Sequence, residues 1–498
     1  MGAAAAGGPV LVASNRGPLS FRVGPDGQLS ARRGGGGMVS GLLTVASQTD
    51  LLWVCAALSD ADRAAAKAAP DGRLDLDGRE RAARADGAGG SAVLMLDIPA
   101  GTFASAYNAV ANSTLWFIHH MLYELPRQPS FGPRFQAEWE QFRDYNRAFA
   151  LALAGAAPGS GPEGPARAVV QDYHLSLVPR MLADERPDIK IAHFSHTPWA
   201  PPDYYRVLPD EVGREVLEGI LGADHAGFLC QRWADAFADC CEAILGAEVD
   251  RARQRISYRG HVTGIGVHAL GVDAAELTAR AAEPDVAQRL AELTELAGGR
   301  KLIVRIDRTE LSKNIARGLA AYRELLVSRP EWHGRVMHVA FAYPSRTDLA
   351  SYREYTAAVQ NLAAEIEAEF ATPDWTPLVV RVDDDYARSL AAYRAADVLL
   401  VNPIRDGMNL VAKEAPVVSD RGCALVLSRE AGAAAELDQA ALMVNPFDIS
   451  GTAAALHEGL AMDDAERTRR CGELAAAAGA MPPTRWFADQ LAALDGPG

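Results

Sequence analysis

Arg308 and Lys313 stand five residues apart in "RIDRTELSKN", directly after the aliphatic run "KLIVRI". Two cations at a strand end can neutralise a diphosphate, either as a ground-state clamp or against leaving-group charge. Salt bridges to Asp307 and Glu310 are the plainer use of the same residues. A second stretch, "VNPIRDGMNLVAKEA", runs from Val401 to Ala415. Asn402-Pro403 stops a strand there, and "GMNLVAKEA" starts a helix. A helix N-terminus carries unpaired N–H groups and a partial positive charge, which favour a phosphate. Glu414 then lies about one turn into the helix, where a carboxylate can accept hydrogen bonds from ribose hydroxyls. Asp406 sits at the strand end. An ordinary capped strand–helix turn would read the same way.

Three further stretches hold polar groups at predicted strand ends. "VVQDYHLSLVP" sets Asp172, Tyr173 and His174 between a strand and a helix, and "AHFSHTPWAPP" ends the next strand with His196. Their separation fits one βαβ step, so both can meet at one sheet edge. A carboxylate there can bind a polyol or act as a base, and a histidine can hydrogen-bond a transferring group; a helix cap and a packed histidine are the alternatives. "VASNRGP" places Asn15-Arg16 after the first strand, and "RRGGGGMVSG" supplies glycines that allow close backbone approach to a ligand. That run satisfies neither the dinucleotide fingerprint nor the P-loop. "YNAVANSTLWFIHH" carries Tyr107 and Trp116 among polar neighbours, as sugar-contacting aromatics do and as core helices also do.

The elements that must hold these residues are short strands alternating with helices. "PVLVAS", "RAVVQ", "IKIAHFS" and "HAGFLC" read as buried strands in the first half. "KLIVRI", "RVMHVAFAY", "LVVRV", "DVLLVN", "CALVLS" and "ALMVN" do so in the second. Amphipathic runs such as "ARGLAAYRELLVSR" and "DYARSLAAYRAAD" lie between them. Strand–helix alternation predicts parallel sheets covered by helices, and two series predict two doubly wound α/β domains. A chain of 498 residues has room for both. The boundary is expected near "GVDAAELTARAAEPD", giving domains 1–272 and 273–480 with a terminal segment 481–498. In such folds ligands meet the C-terminal ends of strands.

Composition narrows the function. Arginine and lysine total 49 against 64 acidic residues, a net charge of −15, which disfavours nucleic acid or an anionic membrane as partner. Six scattered cysteines show no metal spacing and suit a reducing compartment. No apolar run is long enough to span a bilayer, and the first residues lack the pattern of a signal peptide, so the expectation is a cytoplasmic protein.

Taken in order, "SNR … GG … YNxxxNxxLW … DYH … HxP … RxxxxSK … SR … PxRDGMNLVAKE" resembles the trehalose-phosphate synthase family of nucleotide-sugar glycosyltransferases over nearly the whole chain. The resemblance implies a GT-B fold: two Rossmann-like domains with parallel sheets facing a cleft, and a last helix, here "RWFADQLAAL", crossing back to the first domain. It implies that Arg308 and Lys313 hold the nucleotide diphosphate, with Asn409, Leu410 and Val411 presenting backbone groups to it. Glu414 would bind the ribose, Asp406 and the Gly36-Gly37 loop the donor ring, and His196 would sit near the bond being made. Arg16, Tyr107, Trp116, Asp172 and Arg346 would hold a phosphorylated acceptor. Transfer would retain configuration by same-face attack, the leaving phosphate taking the acceptor's proton. No metal or cofactor is expected, and a homo-oligomer is compatible with the reading.

The sequence also departs from that pattern. The usual leucine-aspartate-tyrosine before Ser-Lys-Gly reads Thr309, Glu310 and Leu311, and the glycine is Asn314. "HTPWAPP" replaces the usual His-Ile-Pro-Phe-Pro, and Asp383, Asp384 and Asp385 stand where members contact the base, Asp384 in the register of a base contact. Within the family this resembles most closely the pseudoglycosyltransferases of validamycin-type antibiotic biosynthesis. That likeness implies a GDP-activated cyclitol donor, a cyclitol phosphate acceptor and a C–N bond. The alternatives are an O-transferring trehalose- or glucosylglycerol-phosphate synthase, and a non-catalytic sugar-phosphate sensor.

Overall fold

Valine, isoleucine and leucine fill the short apolar runs, and such residues suit strands buried on both faces. The computed structural model describes residues 10–24, 26–33, 51–69, 72–75, 91–159, 164–346 and 349–495. All ten apolar runs named above are strands in it. The chain divides into a first unit, up to Ala269 and again from Pro483, and a second unit, Leu270–Pro482.

The first unit is built on a ten-stranded sheet. Its parallel strands are β1 (Val10–Ala13), β4 (Leu51–Ala56), β6 (Ala92–Leu96), β7 (Arg167–Gln171), β8 (Lys190–Ser195), β9 (His225–Phe228) and β12 (His261–Val267). They lie in the order β12-β9-β8-β7-β1-β4-β6. Antiparallel β5 (Arg73–Asp75) closes one edge, and β10 (Glu248–Asp250) with β11 (Arg255–Tyr258) the other. A separate hairpin pairs β2 (Leu19–Val23) with β3 (Leu29–Arg33). The last helix, Pro483–Leu494, packs on β7, β8 and β9 of this same unit. Its Trp486 is fully buried and meets Phe194 edge-on, with ring centroids 5.0 Å apart.

The second unit holds a six-stranded, wholly parallel sheet. The strands are β13 (Lys301–Arg308), β14 (Val336–Tyr343), β15 (Leu378–Arg381), β16 (Val398–Val401), β17 (Ala424–Ser428) and β18 (Leu442–Val444). They lie in the order β15-β14-β13-β16-β17-β18. The Ile315–Ser328 helix buries Ile315, Leu319, Tyr322 and Leu326, a three-to-four-residue spacing that makes one apolar face. That face packs with Ile303, Leu400, Val426 and Leu456 in the core. Packing on β13 is what fixes the strand end carrying Arg308.

Candidate functional site

In the second unit, β13 ends at Arg308 and the chain turns through Leu311–Lys313 into the Ile315–Ser328 helix. Lys313 Nζ lies 2.5 Å from Asp406 Oδ2 and 4.0 Å from Asp307 Oδ1. Burial would lower the lysine's pKa, but these two carboxylates raise it above its ordinary value. Lys313 is therefore a fixed positive charge. Asp307 is itself paired with the buried Arg305 at 2.9 Å. Burial pushes Asp307 up in spite of Arg305 and Lys313.

Asp406 follows β16 and is pinned by backbone. Its N–H donates to Glu430 O (3.1 Å), and its carbonyl accepts from Gly432 N (3.1 Å). A Cβ at Gly432 would fall 1.8 Å from Gly407 O, so only glycine allows this approach. Asn409 Nδ2 donates to Asp406 Oδ2 (3.1 Å), while its Oδ1 accepts from Ala412 N (3.3 Å) at the start of the Val411–Val418 helix. The side chain thus caps the helix whose first N–H groups, at Leu410 and Val411, are those left without intrahelical acceptors. Glu414, one turn in, accepts from Tyr393 O–H at 3.2 Å, and burial raises its pKa.

The departures from the family pattern have local explanations. Asn314 sits in the left-handed region (φ 59°, ψ 36°), the conformation a glycine supplies and asparagine tolerates. Its Nδ2 donates to Asn402 O (3.0 Å) and Pro446 O (2.8 Å), tying the β13 turn to the ends of two other strands. Glu310 is fully buried, beside Arg308 at 3.0 Å. In the acidic run, Asp385 caps the Tyr386–Ala395 helix by accepting from Arg388 N (2.9 Å), and it pairs with Arg289. Asp383 pairs with Arg388 at 2.5 Å. Asp384 is exposed and makes no ion pair among the described residues. A cavity of about 1070 Å³ lies between the Pro284–Ala297 and Ala350–Phe370 helices along β15; it reaches Asp383 and Arg388 but none of Arg308, Lys313, Asp406 or Glu414.

In the first unit, the adjacent parallel strands β7 and β8 bring Asp172 and His196 together, His196 N–H donating to Asp172 Oδ1 at 3.2 Å. Asp172 has φ 74° and ψ 167°, a region non-glycine residues seldom occupy and one that collects at functional sites. His196 Nε2 lies 2.7 Å from Gln171 Oε1. Burial, then neighbouring His193, lowers the His196 pKa to about 3, so its imidazole is neutral at physiological pH. Tyr107 stacks between Phe103 and His174, with centroids at 5.2 and 5.5 Å. It lies in a π-helix, Ser105–Leu115, whose Asn112 Oδ1 accepts from Tyr173 O–H at 2.7 Å. Long π-helical runs are rare and gather at functional sites.

Trp116 is buried and stacks on His120 with centroids 3.8 Å apart, so it offers a ligand little surface. Arg16 is exposed after β1. Gly36 and Gly37 lie outside the described residues. Of the five expected acceptor residues, Arg16, Tyr107, Trp116 and Asp172 belong to the first unit and Arg346 to the second. Sequence reasoning missed Gln171, Ser345, Tyr352 and Tyr393, which meet His196, Glu310, Arg346 and Glu414; apart from Tyr352, six residues from Arg346, they do so over 21 to 35 residues of chain. Among the described residues, no group of three or more His, Cys, Asp or Glu side chains could hold a metal, and no helix is long and apolar enough to cross a membrane.

A wholly parallel sheet with Arg308 and Lys313 at the end of β13, in a chain that carries a second α/β unit, agrees with the GT-B transferase fold of the matching structures. The profile of Glycosyltransferase family 20 matches residues 9–495, and the chain belongs to that family. A trehalose-6-phosphate synthase of Mycobacterium sp. (strain JLS) is 33% identical over 497 residues, 97% of this chain and 96% of that one. A bifunctional trehalose-6-phosphate synthase/phosphatase of Thermoproteus tenax is 33% identical over 392 residues, 78% of this chain. The chain spans about half (51%) of that relative's length. Among solved structures, a UDP-forming alpha,alpha-trehalose-phosphate synthase of Burkholderia xenovorans in complex with glucose-6-phosphate superposes with a TM-score of 0.82 at 25% identity, covering 98% of this chain and 100% of that one. Both relatives and the solved structure are named for trehalose-phosphate synthesis.

Proposed function

We propose that this family 20 chain transfers a glucosyl group from a nucleotide-glucose to a sugar phosphate with retention, as a trehalose-6-phosphate synthase does. One arrangement carries the reading: Arg308 and Lys313 at the end of β13, Lys313 held by Asp406, and Glu414 one turn into the helix beyond Asn409. Arg308 and Lys313 bind the diphosphate, and the backbone at Asn409, Leu410 and Val411 faces it. Glu414 takes the ribose and Asp406 the donor ring. Arg346 of the second unit takes the acceptor phosphate, and Arg16, Tyr107 and Asp172 are the acceptor contacts assigned within the first unit. The donor's C1–O bond to phosphate breaks and C1 bonds the acceptor oxygen on the same face. The acceptor proton passes to the departing phosphate oxygen, and nucleoside diphosphate leaves. Neutral His196 hydrogen-bonds the transferring group without adding charge. The cations stabilise the charge that develops on the leaving group.

The N-linking reading, that of a validoxylamine A 7′-phosphate synthase joining GDP-valienol to validamine 7-phosphate, would use the same clamps and stands second. Mass analysis of products from a matched panel separates the two. Trehalose phosphate from UDP- or GDP-glucose and glucose 6-phosphate is the expected outcome. An amine-linked product from the cyclitol pair alone would reverse the order. Nucleotide binding without turnover of any pair would make the chain a sensor.

A further inference from the structure

Glu310 is a fully buried carboxylate with a guanidinium on either side. Its Oε1 accepts from Ser345 O–H at 2.8 Å and lies 3.0 Å from Arg308 Nη1. Its Oε2, also buried, faces Arg346 Nη1 at 3.8 Å, too far for a hydrogen bond. Arg346 Nη1 instead donates to the Tyr352 hydroxyl oxygen at 2.6 Å, and the backbone of Arg346 is in the left-handed region at φ 45°. The Arg308 side chain is 52% exposed and that of Arg346 only 10%. Burial alone would neutralise Glu310, but Arg308, Arg346 and Lys313 hold its carboxyl down at about 2. One negative charge therefore lies between two guanidiniums, Arg308 half-exposed and Arg346 largely buried, and a carboxylate that moves toward one moves away from the other.

We propose that Glu310 is a positioning residue that couples the two phosphate clamps, the donor diphosphate on Arg308 and the acceptor phosphate on Arg346. This rests on the glycosyl-transfer reading above. A phosphate that draws Arg308 away leaves the carboxylate to Arg346, which is then held for the acceptor. Removing Arg346 has the opposite effect: Glu310 turns wholly to Arg308, and the nucleotide must compete with a tighter ion pair. A neutral amide at the same place keeps the Ser345 hydrogen bond and has no charge to redistribute.

The test is calorimetric UDP affinity in wild type, Arg346→Ala, Glu310→Gln and the double variant, with thermal unfolding to confirm the fold. Arg346→Ala should weaken UDP binding by about threefold to tenfold, and the same change in the Glu310→Gln background should cost nothing further. Arg346→Lys should bind UDP as wild type does, which keeps the proposal open to refutation should Glu310→Gln fail to fold. Unchanged UDP affinity in Arg346→Ala, an equal loss in both backgrounds, or an equal loss in Arg346→Lys overturns the coupling alone. Wild-type protein that binds neither UDP nor GDP overturns the glycosyl-transfer reading and the coupling with it.

Discussion

Lys313 is the residue on which the proposed donor site turns. Its side chain is only 13% exposed, charged, and held by Asp406 at 2.5 Å with Asp307 at 4.0 Å. Replacing it with alanine removes one charge-assisted contact to the diphosphate and should weaken UDP binding by roughly 10- to 100-fold, about 1.5–3 kcal/mol by calorimetry. Asp384 is a different case. Its neighbours Asp383 and Asp385 are committed to Arg388, Arg289 and a helix cap, whereas Asp384 is exposed and makes no ion pair among the described residues. Guanine offers two adjacent donors to a carboxylate where uracil offers one. Asp384→Ala is expected to weaken GDP by about 1–3 kcal/mol and spare UDP; an unchanged GDP:UDP ratio would leave the run a helix cap. At this scale the sequence showed which residues carry charge and sit at strand ends. It could not show that Glu310 stands between two arginines, because Ser345 and Arg346 reach it from the end of another strand.

The elements were more legible than the contacts. Every apolar run read as a strand is one, since buried parallel strands are continuous aliphatic segments. Of the strands that reading did not name, β4 (LLWVCA) and β6 (AVLML) carry the same continuous apolar run and were overlooked, whereas antiparallel β10 and β11 are short, mixed-polarity strands set by long-range pairing. The π-helix around Tyr107 was invisible, because its residues would equally form an α-helix. The turn after β13 shows how an element depends on one side chain. Asn314→Gly keeps the left-handed backbone and loses two buried hydrogen bonds, whereas Asn314→Ala loses both the bonds and the conformational tolerance. Urea unfolding should show alanine as the more destabilising, by about 2–4 kcal/mol against roughly 1–2 for glycine. Equal losses would mean that the backbone conformation carries no cost there.

Across the whole molecule, acid should be the weak side. Burial holds His193 and His225 at about 4, and His196 and His338 at about 3, all below the ordinary histidine value. A histidine depressed in the folded state takes up protons on unfolding, so stability is intact near pH 7 and falls as pH drops below about 6.5. Each such group costs roughly 2 kcal/mol by pH 5. Glu310, held at about 2, adds a loss below the ordinary glutamate range, while Asp307 and Glu414, shifted upward, offset part of it. Denaturant midpoints should therefore fall steadily from pH 7 to pH 5, and a flat profile would contradict the buried neutral histidines. The second compact unit runs from Leu270 to Pro482. The Pro483–Leu494 helix has a consequence for how such a chain is made. Its Trp486 seals the strand that leads to His196, yet it is translated after the whole of the second unit. On the ribosome, the first unit to emerge is the last to be completed. Until that helix has been made, the β7–β9 face that receives Trp486 lacks its cover, and a polypeptide stalled before Pro483 would carry a finished second unit and an unfinished first.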